Sequence, residues 1–161
     1  MPAASASRRG ASLCYEAILL AAISFIVSYA LLATLHWSHP LNPAQRLSLQ
    51  ATLLVAFGGY FTICWSRTGQ TLAMKSWHLQ VVAATGKPPS PTRALLRYLA
   101  AWTLFAPALL WLALLPAGTW TTVAVVLASI AVMSLFGRFD PERRWLHDRI
   151  AGTRIVVVPR R

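Results

Sequence analysis

The chain has 161 residues, the size of one domain. Its residues are 57% hydrophobic and 12% charged, about half the charged share (~25%) of an ordinary soluble domain. The formal net charge is +11, and the apolar residues come in long uninterrupted blocks. A water-driven core with amphipathic elements is thereby excluded, because blocks of this length bury themselves in lipid.

The first block, residues 13–35, carries a single charge, Glu16. It exceeds the roughly 20 helical residues that a hydrocarbon core requires. Ser7-Arg8-Arg9 ahead of it has the look of a twin-arginine signal. The block is longer than a secretory apolar region and lacks a clear small-residue cleavage site, which favours a retained anchor. The second block, 47–65, has no charge.

A loop, 66–97, separates it from the third block. Gly69-Gln70-Thr71-Leu72-Ala73-Met74-Lys75 reads as a short turn at the membrane interface. Trp77 to Val82 is β-branched and aromatic enough for a strand. Thr85 to Pro91, with Gly86, Pro88, Pro89 and Pro91, forms a turn that no helix crosses.

The third block, 98–115, holds Pro107, which should kink it. The fourth, 119–136, follows after Pro116, Ala117 and Gly118. Breakers at that point predict a tight helical hairpin, a re-entrant pair being the alternative.

In the tail, 137–161, Asp140-Pro141-Glu142 has the marks of a helix start: a capping acceptor, proline at the first position and an acid in the first turn. The predicted helix runs over 142–150 and stops at Gly152. Arg154 to Val158 reads as a second strand. Two lone strands on one side of a membrane would each leave unpaired edges. An antiparallel pairing between loop and tail answers both.

Lysine and arginine placement orients the spans. With both termini cytoplasmic, fourteen of the fifteen basic residues lie inside and only Arg46 lies outside. The predicted fold is therefore an all-α membrane protein. It is a four-transmembrane-helix bundle with both termini cytoplasmic and a small cytoplasmic two-stranded β element, forming one domain over 1–161. Cys14 and Cys64 fall near cytoplasmic helix ends, where thiols stay reduced, so no disulfide is expected.

Three stretches carry a resemblance. The first is Arg8-Arg9 followed by Glu16 as the first helix begins. The second is Gly69-Gln70-Thr71-Leu72-Ala73-Met74-Lys75, with Trp77, Val81 and Val82 after it. The third is Leu146-His147-Asp148-Arg149-Ile150-Ala151-Gly152-Thr153-Arg154. In these the chain resembles the RDD family of small bacterial membrane proteins, named for one arginine and two aspartates. The resemblance implies a multi-pass protein of the bacterial plasma (inner) membrane. It marks Gly69, Gln70, Thr71, Lys75, His147, Gly152 and Thr153 as family-motif residues. Some members are linked to sodium–proton exchange. The chain departs from the pattern at Glu16, where the family usually has aspartate.

Arg9 and Glu16 are seven residues apart, so a continuous helix puts them on one face, two turns apart. With Asp148 folded back from the tail, the three are expected to form one charge cluster at the cytoplasmic interface. Such a cluster is a candidate functional site.

Two function classes stay open. One is ion or small-solute transport, with Glu16 as the single charge inside any block and an oligomer supplying room for a pathway. The other is a non-catalytic accessory or assembly protein presenting a basic surface to anionic headgroups or to a membrane partner. Catalysis is not expected. His36 and His39 lack the further ligands that a metal site needs, and no cofactor-binding loop is present. The basic charge flanks spans, where orientation accounts for it, so a nucleic-acid partner is not expected either.

Overall fold

The computed structural model describes residues 6–115, 118–136 and 145–158. They form α1 (Ala6–Leu35), α2 (Pro43–Thr68), α3 (Leu72–Ser76), β1 (Leu79–Ala83) and α4 (Pro91–Ala101). A 3-10 turn over Trp102–Leu104 leads to α5 (Ala106–Leu114), α6 (Thr119–Phe136), α7 (Leu146–Ile150) and β2 (Thr153–Val157).

Two helices, α1 and α2, are long and apolar enough to cross a membrane. At 1.5 Å per residue, the 30 residues of α1 reach about 45 Å. Ile18, Phe25, Ile26 and Tyr29 on α1 and Val55 on α2 are largely exposed. Water penalises apolar surface on that scale and lipid does not, so the chain is a membrane protein.

Local chemistry sets the helix ends. Asn42 caps α2 through a reciprocal box: the Gln45 N–H donates to Asn42 Oδ1 (2.8 Å) and the Asn42 N–H to Gln45 Oε1 (3.0 Å). Pro43 occupies the first turn, where its missing N–H costs nothing. At the other end Gly69 takes φ +72° and donates its N–H to the Trp65 carbonyl. A Cβ there would lie 2.6 Å from the Val81 carbonyl oxygen. The same close approach lets the Val81 N–H donate to the Gly69 carbonyl (2.7 Å). One glycine therefore ends α2 and seats β1 beneath it.

The two strands pair antiparallel, with Leu79 opposite Val157 and Ala83 opposite Thr153. The predicted strand, Trp77 to Val82, began two residues early. Trp77 and His78 form the turn out of α3, with His78 at φ +55°, so β1 begins at Leu79. Leu79, Val81, Val82 and Val156 are fully buried. With Trp65, Met74, Ala94 and Tyr98 they make the core, roofed by Phe61 stacked on Trp65 and Tyr98.

The third predicted block departs from a single helix over 98–115. Ser90 caps α4 and Pro91 opens it, so the helix starts well before the apolar run. It gives way at Trp102–Leu104 to the 3-10 turn. Pro107 is the physical cause. It offers no N–H to the Thr103 carbonyl and its ring crowds that oxygen, and Thr103 lies within the turn. The predicted helix 142–150 is also shorter. Trp145 is extended (φ −77°, ψ 164°), so α7 begins at Leu146. The Asp140-Pro141-Glu142 start lies outside the described residues. Gly152, at φ +61°, turns the chain from α7 into β2.

Candidate functional site

Where a cap made of α3, α7 and the β1–β2 sheet meets α1, α2 and α4, charged and polar side chains are buried together: Arg9, Glu16, Thr71, Arg97, His147, Asp148 and Thr153. They divide into two groups around two carboxylates.

The first centres on Asp148, which is fully buried. Arg97, from α4, meets its Oδ1 in direct contact. The Arg9 guanidinium, from α1, stands 3.8 Å from Oδ2. The Trp145 N–H donates to Oδ2 at 3.3 Å, so the acid also starts its own helix. Arg97 donates in turn to the Thr153 hydroxyl at 3.0 Å. Its guanidinium lies 4.8 Å from the Trp65 ring centroid, over the face that attracts cations. Four elements, α2, α4, α7 and β2, thus converge on one guanidinium.

His147 lies beside this group, its Nε2 3.7 Å from Asp148 Oδ1 and its ring edge-on to Trp145. Burial, then the positive charges of Arg97 and Arg9, holds its pKa well below the ordinary histidine value. The imidazole is neutral at physiological pH. Burial, then Arg9, lowers Arg97 to about 9. That is still above neutral pH, and contact with Asp148 favours the charged form.

The second group centres on Glu16, about three turns into α1. The Tyr60 hydroxyl, from α2, donates to Oε1 at 2.7 Å. The Thr71 hydroxyl donates to Oε2 at 2.5 Å. Thr71 is fully buried and also caps α3, accepting from the Met74 N–H at 3.2 Å. Both carboxylate oxygens are therefore held by neutral donors from two different elements.

The expected trio resolves as follows. Arg9 and Asp148 approach each other. Asp148 takes its closest cation from Arg97, a residue the sequence reading counted only as an orienting charge. Glu16 is held by Tyr60 and Thr71. Nothing in the spacing of Arg97 or Tyr60 singles them out. The one available signal is the scarcity of acids, four against fifteen basic residues, which makes each buried acid a point where several cations compete.

The motif residues fall into the same frame. Gly69 ends α2, and Gln70 Nε2 donates to the Leu79 carbonyl at 2.7 Å. Thr71 holds Glu16, Thr153 holds Arg97, and Gly152 makes the turn between α7 and β2. Lys75 is exposed. Among the described residues no group of three His, Cys, Asp or Glu is placed to hold a metal ion.

The RDD family profile matches residues 3–152, nearly the whole chain. The chain belongs to the RDD family. No curated protein and no solved structure matches it. Within this RDD chain the three resembling stretches are the ones that meet: the α1 entry supplies Arg9 and Glu16, the loop Thr71, and the tail His147, Asp148 and Thr153.

Proposed function

We propose that this RDD-family chain crosses the bacterial plasma membrane four times with both termini cytoplasmic, and that it moves a small cation or solute. The basic asymmetry supports the orientation. The 18 residues of α6 reach about 27 Å, close to the thickness of a hydrocarbon core. The nine residues of α5 are too few alone, so the third crossing uses the end of α4, the 3-10 turn and α5 together. Reporter fusions in the 66–97 loop and after Arg161 should read cytoplasmic, and one at Asn42 external.

The observation that carries the transport reading is the environment of Glu16. Hydroxyl donors stabilise a carboxylate without cancelling its charge, and hydroxyl oxygens are ligands for hard cations. A proton or a small monovalent cation can exchange at such a carboxylate. The resemblance to relatives linked to sodium–proton exchange fits this chemistry. Asp148, in contact with Arg97, is poorly suited to it. A pathway through the bilayer would need a second copy, because the apolar blocks 13–35, 47–65, 98–115 and 119–136 hold no Asp, Glu, Lys, Arg or His besides Glu16.

The test is flux into vesicles holding only the purified protein, read with a pH-sensitive dye under an imposed sodium or potassium gradient. Wild type should shift the internal pH in response to the cation gradient and Glu16→Gln should not, while both keep the same thermal unfolding profile. Absence of wild-type flux would overturn transport. The remaining reading would be the accessory one, supported by the folded cap of α7 and the β1–β2 sheet as a surface for lipid or a partner.

A further inference from the structure

The two strands share one ladder, so each also has an outer edge. The Val158 N–H donates to the His78 carbonyl at 2.8 Å. With the antiparallel register, that bond fixes the alternation. His78, Gln80 and Val82 turn their backbone groups toward Val158, Val156 and Arg154. The backbone groups of Leu79, Val81 and Ala83, and those of Thr153, Ile155 and Val157, turn outward.

The two outer edges differ. That of β1 is closed along its length. The Gln70 side chain donates to the Leu79 carbonyl at 2.7 Å, and the Val81 N–H donates to the Gly69 carbonyl at 2.7 Å. The Ala83 N–H donates to the Lys87 carbonyl at 2.9 Å, and the Gly86 N–H donates to the Ala83 carbonyl at 2.9 Å. Among the described residues, no backbone bond reaches the outward groups of Ile155 or Val157 on β2. Both residues are partly exposed. An unpaired edge is a template for another strand, and folds that avoid this place proline, lysine or a bulge there. The stretch from Thr153 to Val157 has no proline or lysine. Its pairing with β1 runs without a bulge.

Charge narrows what the edge takes. Arg154 lies on β2 itself. Its Nε is buried without a hydrogen-bond partner, and among the described residues no acid pairs with it. On a strand laid beside β2, the residue opposite Arg154 has its Cβ about 5 Å away, where an opposite charge stabilises the pair. The wider surface has the same sign. Both described acids, Glu16 and Asp148, are buried, and every exposed charged side chain among the described residues is basic. A second copy brings that same positive surface, and like charges across an interface oppose it. A lipid headgroup meets a cation but offers no row of alternating N–H and C=O groups. Backbone and charge together select an extended, acidic polypeptide.

We propose that the outer edge of β2 binds an extended acidic segment of a partner protein, which adds a third strand to the sheet and places a carboxylate opposite Arg154. The Ile155 and Val157 N–H groups donate to the added strand. The site stands whether or not the protein transports anything, and it uses neither Glu16 nor Asp148.

The test uses the full chain in a zwitterionic detergent and a short fluorescent peptide of alternating valine and glutamate. Anisotropy should show binding, and exchange of the Ile155 and Val157 amides should slow about tenfold at saturation. A peptide of alternating valine and lysine should not bind. Arg154→Gln should weaken binding about fivefold, the upper scale of one opposite-charge cross-strand pair. Val157→Pro removes an outward donor and spares the ladder, since proline is tolerated on an edge with its nitrogen outward. It should weaken binding more than tenfold. The Gln80 and Val82 amides, which belong to the ladder, should stay protected in both variants, separating lost binding from lost fold. Equal binding of the lysine peptide, or no binding of the glutamate peptide at millimolar concentration, would overturn the site. So would binding that leaves Ile155 and Val157 exchange unchanged. An efficient disulfide between copies of a Val157→Cys variant would give the edge to a second copy and overturn it as well.

Discussion

Asp148 and Glu16 are both acids buried at the junction of the spans and the cap, and they are held in opposite ways. Asp148 is fixed by a guanidinium that is itself fixed by Thr153 and Trp65. Glu16 is fixed by two hydroxyls. An ion pair in a low dielectric is costly to open, because either charge left alone pays its full desolvation. A carboxylate among hydroxyls can gain a proton and keep both neighbours, since a hydroxyl both donates and accepts. The first arrangement builds a joint and the second leaves a group able to change state. The comparison suggests that the cap is anchored through the tail acid so that the α1 acid can remain adjustable.

The largest effect should come from breaking the joint. Asp148→Asn leaves Arg97 buried without its counter-charge, at a cost of about 3–5 kcal/mol. The cap should detach, seen as rapid proteolysis after α6 and loss of amide protection in β1 and β2. Adding Arg97→Met should recover much of that loss, because removing both charges leaves none stranded. If the double variant is as unstable as the single one, the ion pair is not what holds the cap. Glu16→Gln, by contrast, should leave these readouts nearly unchanged.

A smaller effect follows from acid. His147 has a docked-state pKa well below its ordinary value, so as pH falls the undocked chain takes up the proton first. Cap stability is therefore complete at neutral pH and falls as pH drops below about 6.5, by at most ~1.4 kcal/mol per pH unit. Arg97, Arg9 and Asp148 are the charges around the ring, and added positive charge there meets two guanidiniums and one acid. Thermal unfolding between about pH 7 and pH 5 should show this slope, and His147→Gln should flatten it. An unchanged slope in the variant would assign the effect to another group.

The smallest effect concerns Arg9. At 3.8 Å from Asp148 it is a secondary partner. A double-mutant cycle of Arg9→Gln and Asp148→Asn should give a coupling of about 0.5–1 kcal/mol, with the double variant costing less than the sum. Strict additivity would reduce the tail joint to Arg97 alone.

Much of the architecture was legible in the residues. Two spans follow from block length, and the loop–tail pairing from two β-branched runs with no other partner. The breaks were less legible. Pro107 announced a kink, but proline acts on the carbonyl four residues back, so the irregular turn fell at 102–104. Trp77 has strand propensity, yet the turn out of α3 claims it. Within the site, Glu16 carried a visible signal as the one charge inside an apolar block, and Arg9 and Asp148 were marked by the resembling stretches. Arg97 did not, because a basic residue flanking a span has a sufficient explanation in orientation. Its role depends on a contact with a residue more than fifty positions away, which no local pattern encodes.

The pairing of β1 with β2 has a consequence for the order of assembly. In chain order α4, α5 and α6 all lie between the two strands. A ribosome therefore delivers β1 long before its partner exists. Until α7 and β2 emerge, β1 has an open edge and Arg97 lacks Asp148. Closing so long a segment is slow on entropic grounds, so the nascent protein passes through a stage with its spans inserted and its cap unsealed. In the proposed topology the seal then reports that both later hydrophobic segments have taken their places, since β2 reaches β1 only when the chain between them has returned to the side it left.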